Sequence, residues 1–214
     1  QKWESDGFIP REVFKKMGAL GFLGITYPTE FGGSEMDVRG SVVFAEELGK
    51  STFSGFAIAS LVHTDMASVH LLNAGNTEQK ERYLGDIVSG NKISCVAVTE
   101  PHAGSDVKNI RTKAQKVGNK YLINGSKIFI TNGVHADIYF VAAKTSDALQ
   151  QSGNITMFIV RKDNPGLIIN KQLDKHGWRC SDTAELFFQD CEVEEADVLG
   201  TLHKGFYAIM QNFQ

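Results

Sequence analysis

Up to Asn91, apolar positions recur every third or fourth residue, the spacing that places side chains along one face of a helix. Pro10 suits a first helical turn, and Val13, Phe14, Met17 and Leu20 mark one face before Gly21. Beyond Gly32 and Gly33, Asp37 is placed to cap a second helix that carries Val38, Val42, Ala45 and Leu48 and stops at Gly49. A third helix, from about Ser54 to Asn73, holds Ile58, Leu61, Val62, Val69 and Leu72. Its apolar density predicts burial inside a bundle. Asn76 and Gln79 have the spacing of a capping box for a fourth helix that ends near Gly90.

From Lys92 to about Gly200 the period changes to two. Strands are expected at 93–99, 110–117, 120–123, 126–131, 137–144, 155–161, 166–171 and 183–193, with Asn124-Gly125 as a hairpin turn. Many short strands separated by turn signals predict an antiparallel barrel or sandwich. Thr145 to Gly153 reads as a loop. Helix resumes near Lys204, and the sequence stops in mid-helix at Gln214. The expected fold class is therefore α+β: a helical domain over 1–91, a β domain over 92–200, and at 201–214 the first turns of a resuming helix.

Composition narrows the functions without choosing one. A net charge of −3 over 214 residues gives no basic surplus for nucleic acid, and 42% hydrophobic residues supply a sizeable core. Cys95, Cys180 and Cys191 are too few and too scattered for a disulfide framework or a paired-cysteine metal site, so a reducing compartment is expected. His63 and His70 could share a helix face but lack partners at ligand spacing, so no metal is expected. No apolar run reaches the roughly 18 residues of a membrane span. Gln1 is not an initiator residue, so the start reads as trimmed or processed.

Chemistry concentrates where the strand 93–99 ends, in the stretch Thr99 to Asp106, TEPHAGSD. Pro101 fixes one backbone angle and Gly104 permits a positive one. Ser105 and Asp106 can bond neighbouring amides, a recipe for a concave cluster of N–H groups. Alone, the stretch is equally a surface turn. A second segment, Asn124 to Asn132, NGSKIFITN, ends a strand on Thr131 and Asn132, although any half-buried strand offers a similar alternation.

Together with Lys175 to Leu186, KHGWRCSDTAEL, these blocks resemble, in order and spacing, the acyl-CoA dehydrogenase family: its TEPxAGSD flavin loop, its W-I-T/S-N strand and its K-x-G-x-R-x-S-x-T block. The likeness runs from about Trp3 to the last residue. Phe129 in place of the usual Trp, with the terminal KGFYAIM, is most similar to the long-chain branch.

The resemblance implies a helical domain, a β domain and a C-terminal four-helix domain, of which only the first two and the opening of the third are in this sequence. It implies FAD as cofactor, held by Val98, Thr99, Gly104, Ser105, Phe129, Ile130, Thr131 and Asn132. Thr99 and Thr131 would meet the two edges of the ring, and Phe129 would cover a face. It implies an acyl-CoA substrate touched by Ser105, Arg179, Ser181 and Thr183, although Arg179 could equally serve a structural ion pair and Ser181-Asp182 a turn. The family's catalytic Glu would lie beyond Gln214, so no catalytic residue is expected in this chain. Glu100 is read as fixing the turn, and His102, where a Gly is frequent, as a solvent-facing loop residue.

The implied reaction is α,β-dehydrogenation to a trans-2-enoyl-CoA, with electrons passing to an electron-transfer flavoprotein. A homotetramer in the mitochondrial matrix or a bacterial cytoplasm is implied as well. An acyl-CoA oxidase on the same fold and a non-catalytic acyl-CoA or flavin-binding protein are the alternatives.

Overall fold

The computed structural model describes residues 2–145 and 154–212. Its helical half holds α1 (Lys2–Asp6), α2 (Arg11–Ala19), α3 (Val38–Lys50), α4 (Ser54–Leu61), α5 (Ser68–Ala74) and α6 (Thr77–Val88). The expected caps form: an Asp37 carboxylate oxygen accepts from the Arg39 amide at 2.9 Å. Asn76 and Gln79 close a reciprocal box at 2.8 and 3.2 Å. Of the expected inner row of α3, Leu48 turns inward but Val38 and Val42 do not, being 70% and 55% exposed. That helix packs through Phe44 and Leu48, one turn apart, so its buried face is rotated from the valine row.

Between α4 and α5 the chain does not leave the helix but widens into a π turn over Val62–Ala67. The displaced carbonyls are satisfied by side chains. Tyr27 Oη donates to the Thr64 oxygen at 2.7 Å, and Ser68 Oγ donates to the His63 oxygen. The continuous run Ser54–Ala74 is long and apolar enough to cross a membrane by length and composition alone, yet 56% of its most apolar window is buried inside the fold.

The β half contains β1 (Ser94–Ala97), β2 (Lys113–Val117), β3 (Lys120–Thr131), β4 (Ile138–Lys144), β5 (Ile155–Arg161), β6 (Leu167–Gln172), β7 (Thr183–Glu194) and β8 (Val198–Leu199). They form one sheet in the order β6-β7-β3-β2-β4-β5-β8, with β1 beside β4. Most neighbours are antiparallel, as expected. The sheet is nonetheless mixed, since β1 runs parallel to β4. Strands β4 and β5 are apolar on both sides because both sides are covered. Ile138, Phe140, Ile155 and Met157 face Leu71, Leu84 and Ile87 of the helices. Tyr139, Val141, Phe158 and Val160 face Ile123, Leu186 and Phe188 of β3 and β7.

One expected turn is absent. Asn124-Gly125 is not a hairpin but an irregularity inside β3, where the register with β7 shifts between Ile123 and Gly125. Gly125 has a φ of 152°, and a Cβ there would lie 2.6 Å from the Thr112 Cα, so close approach of backbone accounts for the glycine. The chain reverses earlier, at Gly118-Asn119, between the paired residues Val117 and Lys120. A final helix, α7 (Gly205–Gln211), buries Ile209 against the helical core. Of the loop expected at Thr145 to Gly153, 146–153 lie outside the described residues.

Candidate functional site

Strands β1 and β3 end beside one another, and their ends build the site. After β1 the chain turns over Glu100–Ala103, whose backbones exchange hydrogen bonds at 2.9 and 3.1 Å. This exchange closes the reversal without help from Gly104. Gly104 is not in the left-handed region, contrary to expectation, and a Cβ there would meet nothing within 4 Å. The Ile128 amide donates to the Thr99 oxygen at 3.0 Å, tying the loop to β3. Immediately afterwards the register of β3 shifts between Lys127 and Ile130. At that irregularity Phe129 takes a φ of 62° and leaves its side chain 64% exposed.

These ends frame a cleft of about 340 Å³, within the range of small-molecule sites. Val98, Thr99, Gly104 and Ser105 line it from the loop, and Phe129, Ile130 and Thr131 from β3. The opposite wall is Val62 and Met66 of the π turn with His70 of α5, while Ile209 and Asn212 close one end from α7 and its cap. Asn212 Nδ2 donates to the Met66 oxygen at 3.1 Å, fixing α7 to that wall. A larger apolar groove of about 950 Å³ lies beside α2 and α3, lined by residues such as Leu20, Phe22 and Val43. It brings together none of the residues of the loop or strand motifs.

Behind the cleft is a buried ion pair. Lys127 Nζ, wholly shielded from solvent, donates to Glu100 Oε1 at 2.8 Å and to the Val98 oxygen at 2.9 Å. Glu100 also accepts from the amides of Arg111 at 2.5 Å and Thr112 at 3.0 Å. Burial pushes the Glu100 carboxyl up, but the Lys127 charge and these hydrogen bonds outweigh it and hold the group below the usual carboxylate range. Burial takes the Lys127 ammonium down to about 8 despite Glu100. His102 Nε2 stands 3.2 Å from Glu100 with its side chain 32% exposed, so the loop histidine faces both solvent and the pair.

His63 staples the π turn to its neighbours. Its Nε2 donates to the Ile87 oxygen and its Nδ1 accepts from the Ser94 amide, both at 3.1 Å, which fixes the neutral tautomer. Burial brings both His63 and His70 down to about 4. No group of side chains able to hold a metal occurs among the described residues.

The structure thus brings Val98, Thr99, Gly104, Ser105, Phe129, Ile130 and Thr131 to one cleft. Asn132 stands apart: its buried amide donates to the Ala59 oxygen at 2.9 Å, fastening β3 to α4. The third block does not reach the cleft either. Arg179 pairs with Asp174 at 2.6 Å, and its amide donates to Glu4 of α1 at 2.8 Å. Ser181 and Thr183 are buried, with Thr183 Oγ1 3.4 Å from the Ser181 oxygen. Sequence reasoning missed Val62, Met66, His70 and Ile209 as lining residues. Val96, which also lines the cleft, could have been found from its two-residue spacing to Val98.

An exposed aromatic wall, hydroxyls at two strand exits and an open backbone at Gly104 are the features that a flat, hydrogen-bonding ring requires, and the residues present fit a flavin. Residues 1–91 match the family model of the acyl-CoA dehydrogenase N-terminal domain, and residues 95–191 that of the middle domain. The chain belongs to the acyl-CoA dehydrogenase family.

Among its relatives, the mitochondrial isovaleryl-CoA dehydrogenase of Pongo abelii is 43% identical over 94% of this chain and 47% of its own length. The mitochondrial long-chain specific acyl-CoA dehydrogenase of Rattus norvegicus is 37% identical over 99% of this chain and 49% of its own. The chain therefore spans about half the length of these relatives. Among solved structures, acyl-CoA dehydrogenase from Geobacillus kaustophilus superposes with a TM-score of 0.95 at 42% identity, over 99% of this chain and 55% of that one. A chain in a structure of the electron transferring flavoprotein of Acidaminococcus fermentans gives 0.92 at 39%, over 97% and 54%. The acyl-CoA dehydrogenase of Bacillus anthracis complexed with FAD gives 0.88 at 33%, over 94% and 34%.

Proposed function

We propose that the full-length protein is an FAD-dependent acyl-CoA dehydrogenase that converts an acyl-CoA thioester to the trans-2-enoyl-CoA, and that this chain supplies the flavin-facing half of the site. The observation that carries the reading is the meeting of Thr99 and Thr131 in one cleft beside the exposed Phe129. FAD, when bound, would supply the acceptor for the substrate's β-hydrogen, which leaves as hydride. In this chain the Thr99 hydroxyl and amide would hold the pyrimidine end of the ring, and Thr131 the edge bearing N5. Donors already aimed at the place where charge develops lower the barrier without reorganising. Phe129 would cover one ring face and exclude water, while Gly104 and Ser105 lie where a phosphate or thioester could approach backbone closely.

The α-proton needs a base, and no carboxylate lines the cleft among the described residues. Glu100 is committed to Lys127 and two backbone amides. In this reading the base is the family's Glu, which the resemblance implies lies outside this sequence. The FAD-bound relative supports the cofactor, and the flavoprotein structure supports an electron-transfer flavoprotein as acceptor. A homotetramer in the mitochondrial matrix or a bacterial cytoplasm completes the reading, consistent with the mitochondrial and bacterial sources of its relatives.

The test is anaerobic mixing of the FAD-loaded full-length protein with straight- and branched-chain saturated acyl-CoAs. Bleaching of the yellow colour with one enoyl-CoA formed per flavin is expected. Protein that takes up no FAD, or stays yellow with every thioester, refutes the reading, and oxygen uptake matching turnover in air would mark an oxidase instead.

A further inference from the structure

The buried pair Lys127–Glu100 sits behind the two strand exits, and its positive end faces a particular peptide bond. The Lys127 ammonium donates to the Val98 oxygen at 2.9 Å, and that carbonyl belongs to the same amide as the Thr99 N–H. Thr99 lines the cleft, whereas Lys127 does not. Among the described residues the Thr99 N–H donates to no backbone or side-chain acceptor. A cation on an amide oxygen polarises the whole unit and strengthens its N–H as a donor, an effect enhanced where water is excluded. Stability does not by itself explain such a pair, because apolar residues of similar volume often serve a buried site equally well.

We propose that Lys127 is a positioning residue that acts through the Val98–Thr99 peptide to raise the reduction potential of a flavin held in the cleft. The inference rests on the flavin reading above. Two-electron reduction adds negative charge to the ring, so a strengthened donor at its edge favours the reduced form over the oxidised one. Glu100 keeps the ammonium in place from behind, with the Arg111 and Thr112 amides holding the carboxylate in turn.

The experiment is a dye-coupled redox titration of the FAD-loaded full-length protein and of its Lys127→Met/Glu100→Gln variant, which removes both charges and strands neither. A tenfold loss of preference for the reduced flavin is expected, equivalent to a potential lower by about 30 mV for a two-electron couple. FAD affinity is measured alongside by fluorescence titration of the apoprotein. A role confined to spacing the strands would weaken FAD binding and leave the potential where it was, and that result overturns the proposal.

Should the first variant fail to fold, Lys127→Gln/Glu100→Gln keeps a neutral donor for the Val98 oxygen. Its expected potential lies between those of the wild type and a tenfold loss, and an unchanged value overturns the proposal equally. A wild-type protein that takes up no FAD would instead refute the flavin reading itself.

Discussion

A threonine at a strand exit offers one hydroxyl donor that carries no charge and needs little room, so its removal can be read cleanly. Thr131→Val keeps the shape and deletes that donor. A hydrogen bond of ordinary strength contributes about 1–1.5 kcal/mol, so flavin reduction by acyl-CoA is expected to slow roughly tenfold in stopped-flow absorbance, with the melting temperature nearly unchanged. Lys127→Met alone should behave oppositely, because it leaves the Glu100 carboxylate buried without its ammonium. A loss of about 3–5 kcal/mol is expected from the shift in denaturant midpoint, most of it recovered when Glu100→Gln is added. The convergence of Thr99 and Thr131 on one cleft was legible because each closes a motif at a strand end. The place of Asn132 outside the cleft was not, since it lies just past β3 with a φ of 63°, a left-handed turn that no alternation pattern signals and that carries its amide to the Ala59 oxygen of α4. Arg179 matched a motif too, but the Asp174 partner of its side chain and the Glu4 partner of its backbone amide are visible only in the fold.

Elements were read from periodicity, which reports where a strand runs and not where it slips. Both irregularities of β3 fall in the motif NGSKIFITN, one at Gly125 and one at Phe129, and hydrophobic alternation carries no trace of either register shift. The π turn of Val62–Ala67 was equally hidden, since one residue more per turn barely disturbs a helical pattern. Yet the irregularity at Phe129 and the π turn supply an aromatic wall and the wall opposite it. Phe129 adopts a φ of 62°, where a bulky residue is strained by about 1–3 kcal/mol. Phe129→Ala and Phe129→Gly should therefore both lose FAD affinity through the missing ring, while only the glycine variant gains thermal stability. Equal melting temperatures for the two would show that the backbone there stores no strain.

At the scale of the molecule, the helical and β halves are joined through neutral, buried groups, and this makes the junction sensitive to acid. His63 links the π turn to the Ile87 oxygen of α6 and to the Ser94 amide of β1, while Asn132 reaches from β3 to α4. Beside them the Asp137 carboxylate receives Arg11 from α2 and accepts the Ile93 amide at 2.8 Å. His63 and His70 titrate near 4 when folded, because burial disfavours the imidazolium, against 6.5 as the ordinary value. Each folded pKa is therefore lowered, so the unfolded chain binds more protons as the pH drops. The stability that each neutral ring contributes is complete above pH 6.5, declines as the pH falls below it, and is gone once the folded pKa near 4 is passed. The shift corresponds to an upper limit of about 3 kcal/mol for each ring. Denaturant midpoints of the full-length protein, measured between pH 7 and pH 4, are expected to fall steadily across this window. His63→Asn is too short to span both the Ile87 oxygen and the Ser94 amide, so it should be less stable at pH 7 yet show a shallower acid slope. An unaltered slope in that variant would remove His63 from the account of acid sensitivity and leave the effect to His70 and the carboxylates.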